Sequence, residues 1–351
     1  MKAAAIIRTK ELRVIEVETP HPAPDQVLVQ VAYCGICATD YDNYRGTTSF
    51  AKNGQLTYPL RFGHEWSGRI VEVGAKVADF KVGDKVIGDG KVTCEKCDNC
   101  RAGRWYDCKA LRAVGTVKDH WPGAMAEYIL MPARNVFKIA EDVTLKEAAL
   151  CEPVTIAMNG LREAKLEGGA VLVIGSGPIA MGGIAAAKAL GAKKIICAAR
   201  KAFKLERAKQ MGATDVIDIT AAPLSEQLLS LNGGQKADVV LETTGCTDFV
   251  EDMMNLTANM GTMSMVGFYD RPIRNFDLDT FIYGKAVLRG SSGSREFTPK
   301  VAELINAHKL NLLPMLTHEI DFSEIESAMD FYKKVSSERI KILVKIAGEI
   351  E

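Results

Sequence analysis

Four cysteines in the spacing C-x2-C-x2-C-x7-C constrain this chain more than any other feature: Cys94, Cys97, Cys100 and Cys108. They fall within about fifteen residues that also contain charged side chains and a glycine, so the segment cannot form a buried core strand. Short loops between four thiolates let the backbone enclose one tetrahedral zinc ion. The spacing predicts a closed structural zinc site, with two disulfides or four unrelated thiols as the alternatives.

The N-terminal segment bears on the disulfide alternative. Residues 1–7 lead directly into a charged segment and do not have the pattern of a signal peptide, which predicts a reducing, cytoplasmic compartment where disulfides are disfavoured. The remaining five of the nine cysteines are scattered, without the regular framework of a secreted mini-domain: Cys34, Cys37, Cys151, Cys197 and Cys246. This scatter is typical of a cytoplasmic enzyme.

Composition narrows the possible partners. The chain has 351 residues, of which 47% are hydrophobic, and 44 basic side chains balance 44 acidic ones. Balanced charge supplies no basic field for nucleic acid, and no apolar stretch of about twenty residues is present to span a bilayer. We therefore expect a soluble protein of one large or two ordinary domains that acts on a small molecule and binds neither nucleic acid nor membrane.

The hydrophobic pattern changes along the chain. Residues 1–154 contain short alternating stretches, such as 26–32, broken by Gly, Pro and Asp, which indicates an irregular β-rich domain. Residues 155–292 alternate apolar strands with amphipathic helices, which predicts an α/β domain with a doubly wound parallel sheet. Residues 293–351 contain two helical stretches and a closing strand that we expect to return to the first domain.

A nucleotide-binding pattern opens the α/β part. Residues 171–180 read V-L-V-I-G-S-G-P-I-A, an apolar strand that runs into G-x-G-x-x-A and a helix. The first glycine allows a tight turn, and the second lets the backbone approach a pyrophosphate at the helix N-terminus. A plain tight turn is the alternative. The expected coenzyme-binding residues are Gly175, Gly177, Pro178, Ile179 and Ala180, with Thr244 and Gly267 after later strands.

The end of the second α/β strand favours NADP(H) over NAD(H). An acid at this place would accept hydrogen bonds from the ribose hydroxyls of NAD, but the sequence has Ala199 followed by Arg200 and Lys201, with Lys204 one turn later. Arg offers a 2′-phosphate a planar set of donors. The alternative is a basic helix start that is merely solvated.

Three further segments hold residues that bind metals: Cys34-Gly-Ile-Cys37-Ala-Thr39-Asp40, Gly63-His64-Glu65 and Cys151-Glu152-Pro153. Taken singly, each segment is weak evidence for a metal site. In this order, with the four-cysteine lobe at about 90–110 and the G-x-G turn, they resemble the zinc-dependent medium-chain dehydrogenase/reductase family over essentially the whole chain. The resemblance implies a GroES-like catalytic domain, a Rossmann coenzyme domain and a cleft between them that holds a second, catalytic zinc.

The same resemblance implies roles for individual residues. An E-P segment is found in the sorbitol, threonine and sugar dehydrogenase branch, so Glu152 is favoured over the neighbouring Cys151. Cys37 and His64 are implied as direct zinc ligands, and Glu65 and Glu152 as ligands or as partners of the metal's water. Asp40 is expected to fix the imidazole of His64.

A proton relay is also implied. Thr39, two residues after Cys37, is expected to pass the alcohol proton outward. Relatives often continue this relay with a histidine where this chain has Asp42, so its outer part is open between Asp42, a chain of waters and Glu152.

The implied activity is hydride transfer between NADP(H) and a secondary alcohol of a polyol, cyclitol or sugar derivative, with zinc activating the hydroxyl. The loop at 41–58 is too polar for long alkyl alcohols. Two alternatives are an NAD-dependent threonine- or sugar-phosphate-type dehydrogenase and a non-catalytic NADP-binding redox sensor or structural protein. We expect two zincs per chain and a homodimer or homotetramer formed through an edge strand at 287–290.

Overall fold

The computed structural model describes residues 1–117, 120–269, 271–293 and 295–350. The chain forms two compact units. The first comprises Met1–Glu152, Thr298–Asn306 and Leu316–Glu351, and the second comprises Pro153–Phe297 and Ala307–Met315.

The strands of the described residues are, in chain order, β1 (Lys2–Arg8), β2 (Glu11–Glu16), β3 (Gln26–Ile36), β4 (Leu60–Arg61), β5 (Glu65–Val73), β6 (Lys85–Gly88), β7 (Lys91–Val92), β8 (Arg112–Ala113), β9 (Tyr128–Pro132), β10 (Val136–Lys138), β11 (Ala170–Ile174), β12 (Lys194–Ala199), β13 (Asp215–Asp218), β14 (Ala237–Glu242), β15 (Thr257–Met265), β16 (Val287–Gly290), β17 (Leu316–Asp321) and β18 (Lys341–Lys345).

The α-helices are α1 (Ala38–Arg45), α2 (Ser49–Lys52), α3 (Asp98–Arg101), α4 (Leu145–Ala148), α5 (Cys151–Gly160), α6 (Pro178–Ala189), α7 (Ala202–Met211), α8 (Leu224–Leu231), α9 (Thr247–Leu256), α10 (Leu278–Gly284), α11 (Thr298–Asn306) and α12 (Ala328–Lys334). Short 3-10 turns occupy Trp105–Asp107, Ala133–Asn135, Leu313–Met315 and Phe322–Ser327. Within the described chain, none of the helices has both the length and the apolar character needed to cross a membrane.

The first unit is built around a seven-stranded sheet in which β10, β6, β5, β3, β18 and β17 follow one another and β9 also pairs with β3. The long strand β3 lies between β5 and β18 and is antiparallel to both. This pairing places Gly35 opposite Glu65, and Ile36 opposite Ile342. The sheet register thus brings the end of β3, the start of β5 and the start of β18 to one place.

The second unit contains a six-stranded parallel sheet in the order β13-β12-β11-β14-β15-β16. Every residue of β11 is buried, as expected for a parallel strand covered on both faces. The strand order begins in the middle and reverses at β11 and β14, which is the doubly wound arrangement of a dinucleotide-binding domain. The predicted fold class, a GroES-like domain with a parallel α/β sheet, is confirmed.

The C-terminal part of the chain is shared between the units. The sequence leads us to expect that 293–351 returns to the first domain. Thr298–Asn306 and Leu316–Glu351 are in the first unit, and Ala307–Met315 is in the second. The side-chain amide of Asn311 donates to the carbonyl oxygen of Gln210 at 3.1 Å, at the end of α7. This link between residues far apart in the sequence gives no periodic signal, so pattern analysis does not detect it.

Candidate functional site

Three potential metal ligands converge in the first unit. Cys37 caps the N-terminus of α1 directly after β3, while His64 and Glu65 stand at the start of β5. Because β3 and β5 are paired in register, the ligand atoms of these three residues lie within 4.8 Å of one another. The donor set contains sulfur, imidazole nitrogen and carboxylate oxygen, all of which are zinc ligands in proteins.

Asp40 is fully buried beside His64. One carboxylate oxygen accepts the backbone N–H of Cys37 at 2.9 Å, and the other lies 3.7 Å from His64 Nδ1. Since Nδ1 faces Asp40, Nε2 is the nitrogen left for a metal. Burial raises the pKa of Asp40 to about 6, and although burial lowers the pKa of His64, the charge of Asp40 and the hydrogen bond to Cys37 raise it to about 10. The surroundings of the imidazole therefore favour positive charge.

Glu65 has a partner that sequence analysis missed. Lys341 Nζ donates to both carboxylate oxygens of Glu65, at 2.7 and 2.5 Å, and to the carbonyl oxygen of Ile36 at 3.3 Å. Both charged side chains are only 2% exposed. A lysine at the start of the apolar closing strand was the only signal for this ion pair. Glu65 thus stands between the metal-ligand group and a buried ammonium.

Glu152 lies near this group, although it is outside the 4.8 Å set. It is in the first turn of α5, in the segment that was predicted from the E-P motif. Burial raises the pKa of Glu152 to about 7, and the charges of His64 and Glu65 also act on it. The adjacent Cys151 is buried, and burial raises the pKa of its thiol, so it stays protonated at neutral pH.

The predicted relay residues occupy α1. Thr39 is half-buried in the first turn of this helix, close in sequence to Cys37. Asp42 instead accepts a hydrogen bond from the Thr47 hydroxyl at 3.4 Å and lies 3.9 Å from the Arg45 guanidinium. Its side chain is 46% exposed. The outer relay stays open between Asp42, a chain of waters and Glu152.

The four-cysteine lobe has the dimensions of a zinc–thiolate site. The sulfur atoms of Cys94 and Cys100 are 3.9 Å apart, those of Cys97 and Cys100 are 3.5 Å apart, and those of Cys108 and Cys94 are 3.6 Å apart. Four sulfurs bound to zinc at about 2.3 Å would form a tetrahedron with edges of about 3.8 Å. The backbone N–H groups of Lys96 and Cys97 lower the pKa of Cys94 to about 6, which favours the thiolate that a metal requires.

The turn after β11 fits a pyrophosphate. Gly175 has φ 121°, and a Cβ there would lie 2.3 Å from the hydroxyl oxygen of Thr243. In contrast, a Cβ on Gly177 would meet no atom within 4 Å, so this glycine faces open space at the N-terminus of α6. Pro178 opens the helix, with Ile179 and the buried Ala180 following it.

The loops after β14 and β15 contact each other. A Cβ on Gly267 would lie 2.5 Å from the backbone nitrogen of Gly245. The buried carboxylate of Glu242, which the sequence did not suggest, accepts from the backbone N–H of Thr244 at 2.6 Å and from the Tyr269 hydroxyl at 2.5 Å. Thr244 and Gly267 therefore lie in two loops that contact each other and share hydrogen bonds to Glu242. These loops are at the carboxyl ends of the strands, where dinucleotides bind.

The end of β12 carries cations and no acid. Ala199 is the last residue of the strand and is buried. Arg200 is exposed, Lys201 caps α7, and Lys204 lies in the first turn with its ammonium 5.9 Å from the centre of the Phe203 ring. Basic groups thus follow directly after Ala199, the position where an NAD-binding acid would stand.

Comparison with known proteins gives the family. Residues 23–141 match the alcohol dehydrogenase GroES-like domain, and residues 178–307 match the zinc-binding dehydrogenase domain. An L-threonine 3-dehydrogenase from Coxiella burnetii is 32% identical over 314 residues, which cover 89% of this chain and 90% of the relative. The chain belongs to the zinc-dependent medium-chain dehydrogenase family. Its members are oxidoreductases, so the prediction of an enzyme acting on a small molecule is confirmed.

Two similar solved structures contain a bound nicotinamide coenzyme. A zinc-binding dehydrogenase from Sinorhizobium meliloti 1021, bound to NADP, has a TM-score of 0.87 and 28% identity and covers 98% of this chain and 99% of its own. An alcohol dehydrogenase from E. coli CFT073, complexed with NADH, has a TM-score of 0.88 and 28% identity and covers 99% of both chains. Zinc and a nicotinamide coenzyme are therefore the cofactors of this protein as a family member.

The buried ion pair yields a stability prediction. Replacing Lys341 by Met leaves the Glu65 carboxylate buried without its cation, which costs about 3–5 kcal/mol. The loss should appear as a lower free energy of unfolding in urea, and the double variant Glu65→Gln, Lys341→Met should recover part of it. Lys345→Met, an exposed position on the same strand, serves as the control and should leave the free energy of unfolding nearly unchanged. Equal effects at the two lysines would contradict the prediction.

Proposed function

We propose that this protein is an NADP(H)-preferring dehydrogenase that interconverts a secondary alcohol of a polyol, cyclitol or sugar derivative and the corresponding ketone. The observation that carries the proposal is the group formed by Cys37, His64 and Glu65, whose ligand atoms lie within 4.8 Å of one another. The charges of His64 and Glu65 also act on the buried Glu152. This donor set fits a catalytic zinc because its sulfur, nitrogen and oxygen ligands leave room for an exchangeable position.

The roles of the residues follow from their placement. Cys37 and His64 would hold the zinc, which when bound supplies Lewis acidity to the substrate oxygen. Asp40 orients the imidazole of His64 and offsets positive charge there. Glu152, whose pKa is raised to about 7 by burial, is suited to accept or release a proton near neutral pH. Thr39 has its hydroxyl on the same helix as Asp40 and remains our candidate for the inner proton relay.

The polar segment after Cys37 supports a hydroxylated substrate. The ring of Tyr41 lies 5.0 Å from that of Tyr332 and 6.4 Å from that of Tyr44, while the Arg45 guanidinium is 5.6 Å from the centre of the Tyr41 ring. Tyr44 donates its hydroxyl to the Lys10 carbonyl. The guanidinium and the phenol hydroxyls of this segment are hydrogen-bonding groups, which suit a hydroxylated substrate better than a long alkyl alcohol.

A second candidate function comes from the relatives. The curated relative reported above is an L-threonine 3-dehydrogenase, so L-threonine joins the candidate substrates. The decisive experiment measures NADP+ and NAD+ reduction with a panel of alditols, cyclitols, aldonates, sugar phosphates and L-threonine. Turnover of polyols or sugar derivatives supports the proposal, whereas turnover confined to L-threonine supports the second candidate. Coenzyme binding without turnover on the whole panel would contradict both.

Metal content provides one test of the site. We expect two zincs per chain by elemental analysis. Cys100→Ser should remove one zinc and lower the melting temperature, because it opens the closed four-thiolate site, whereas Cys37→Ala should remove the other and abolish turnover with little change in melting temperature. Cys246→Ser, outside both groups, is the control and should retain two zincs. One zinc in the unmodified protein, or the same loss of folding in both variants, would refute the two-site assignment.

Coenzyme choice provides a further test. A charge-assisted hydrogen bond is worth about 1.5–3 kcal/mol, so one Arg200 contact to a 2′-phosphate corresponds to about ten- to a hundredfold in kcat/KM. Ala199→Asp together with Arg200→Ile should reverse the preference, because the new carboxylate accepts from the ribose and repels the phosphate. Lys209→Met, exposed in the last turn of α7, should leave the ratio unchanged. A wild-type protein that uses NAD as well as NADP would mean that the basic strand end is solvated surface.

Assembly is the remaining proposal. Strand β16 ends the parallel sheet, and Val287 and Leu288 on it are 46% and 36% exposed. The preceding helix exposes Ile282 and Tyr283, which are 65% and 83% accessible. Exposed apolar side chains on the last strand of the sheet and on the helix before it support a homo-oligomer, a dimer or tetramer. Light scattering should report a particle larger than one chain, and Leu288→Lys should shift it toward single-chain mass, while Leu229→Lys on α8 should not. A single-chain mass for the wild type at micromolar concentration would rule this out.

A further inference from the structure

Glu242 connects two loops of the second unit through hydrogen bonds at both of its carboxylate oxygens. It is the last residue of β14 and is fully buried. One oxygen accepts from the backbone N–H and the hydroxyl of Thr244, at 2.6 and 2.5 Å. The other accepts from the backbone N–H of Gly245 at 3.3 Å and from the Tyr269 hydroxyl at 2.5 Å. The carboxylate thus joins the loop after β14 to the loop after β15.

Tyr269 is held by its ring and by its hydroxyl. The side chain is half-buried, and the ring packs against the apolar core of the second unit. Burial, together with the hydrogen bond to Glu242, raises the pKa of the hydroxyl, so the group remains a donor at neutral pH. The two attachments can be separated, because a phenylalanine would keep the ring packing and lose only the hydrogen bond.

The backbones of the two loops also approach each other closely. A Cβ on Gly267 would lie 2.5 Å from the backbone nitrogen of Gly245, and a Cβ on Gly245 would lie 2.4 Å from the carbonyl oxygen of Phe268. The loop after β14 is also attached to the end of β11, because the backbone N–H and the hydroxyl of Thr243 donate to the Ile174 carbonyl oxygen at 3.1 and 2.8 Å. This second attachment does not involve Tyr269.

The linked loops belong to one half of the parallel sheet. A doubly wound sheet has two mononucleotide-binding halves, and a dinucleotide lies across their boundary. Strands β11, β12 and β13 form the half with the glycine turn and the strand end at Ala199, which is the adenosine side in this fold. Strands β14, β15 and β16 form the other half, so the loops after β14 and β15 are left for the nicotinamide nucleotide.

We propose that the hydrogen bond between Tyr269 and Glu242 positions the loop after β15 to receive the nicotinamide half of the coenzyme. This role rests on the coenzyme binding that is part of the proposed function, and it is independent of the alcohol substrate. A loop that is fixed before the ligand arrives loses less conformational entropy on binding, so the bond raises the affinity without touching the coenzyme. Tyr269 and Glu242 are therefore positioning residues and take no part in hydride transfer.

The test compares each coenzyme with the fragment that lacks only the nicotinamide: NADPH with 2′-phospho-ADP-ribose, and NADH with ADP-ribose. Dissociation constants are measured by calorimetry on the zinc-loaded protein. Tyr269→Phe should weaken binding of the coenzyme by about tenfold, the lower end of the effect of a hydrogen bond to a charged group, and should leave the affinity for the fragment nearly unchanged. Tyr128→Phe, which removes a hydroxyl at a half-buried position of the first unit, is the control and should change neither constant.

A double variant tests whether the two residues act through one bond. Glu242→Gln replaces one acceptor oxygen by a donor NH2 group, so it should weaken binding of the coenzyme at least as much as Tyr269→Phe does. Adding Tyr269→Phe to Glu242→Gln should then cause little further loss. Independent, additive losses would contradict the inference. If Glu242→Gln does not fold, the comparison of coenzyme and fragment in Tyr269→Phe decides the question by itself.

The binding constants separate this inference from the proposed function. An equal loss for coenzyme and fragment in Tyr269→Phe would overturn the inference, because the bond would then only stabilise the fold. An unchanged affinity for both ligands would also overturn it. A protein that turns over no alcohol but shows the selective loss would refute the proposed dehydrogenase activity and support the inference, whereas a protein that binds neither coenzyme would refute both.

Discussion

The buried ion pair between Lys341 and Glu65 is the interaction on which the candidate site depends. Its two residues are 276 positions apart in sequence and meet because β5 and β18 flank β3. Gly35 lies opposite Glu65, and a Cβ there would come within 2.3 Å of the carboxylate, so only glycine leaves it room. Removing either charge would leave the other buried and unpaired. The pair therefore links the closing strand to the metal-ligand group.

The candidate site also contains other buried acids. Asp40 and Glu152 have raised pKa values because burial disfavours their charged forms. His64 is surrounded by these acids and has a raised pKa in spite of its own burial. A divalent cation bound by Cys37 and His64 would stabilise all of these negative groups together, which is a physical reason for assigning a metal to this position.

The second unit uses glycines in two opposite ways. At Gly175 and Gly267, added side-chain atoms would collide with Thr243 and Gly245, so these residues allow the loops at the carboxyl ends of the strands to pack closely. At Gly177 nothing lies nearby, and the absence of a side chain leaves space in front of the N-terminus of α6. Gly175 and Gly267 thus serve the packing of the fold, whereas Gly177 leaves space for the coenzyme.

The sequence by itself determined what is encoded by residues close together in the chain. The C-x2-C-x2-C-x7-C spacing, the G-x-G-x-x-A turn after an apolar strand and the missing acid at Ala199 are all legible because each lies in one short segment. Only the tertiary structure decided that Lys341 neutralises Glu65 and that Ala307–Met315 packs with the second unit. These facts depend on strand register and on which side chains meet across the fold, and no local periodicity records either.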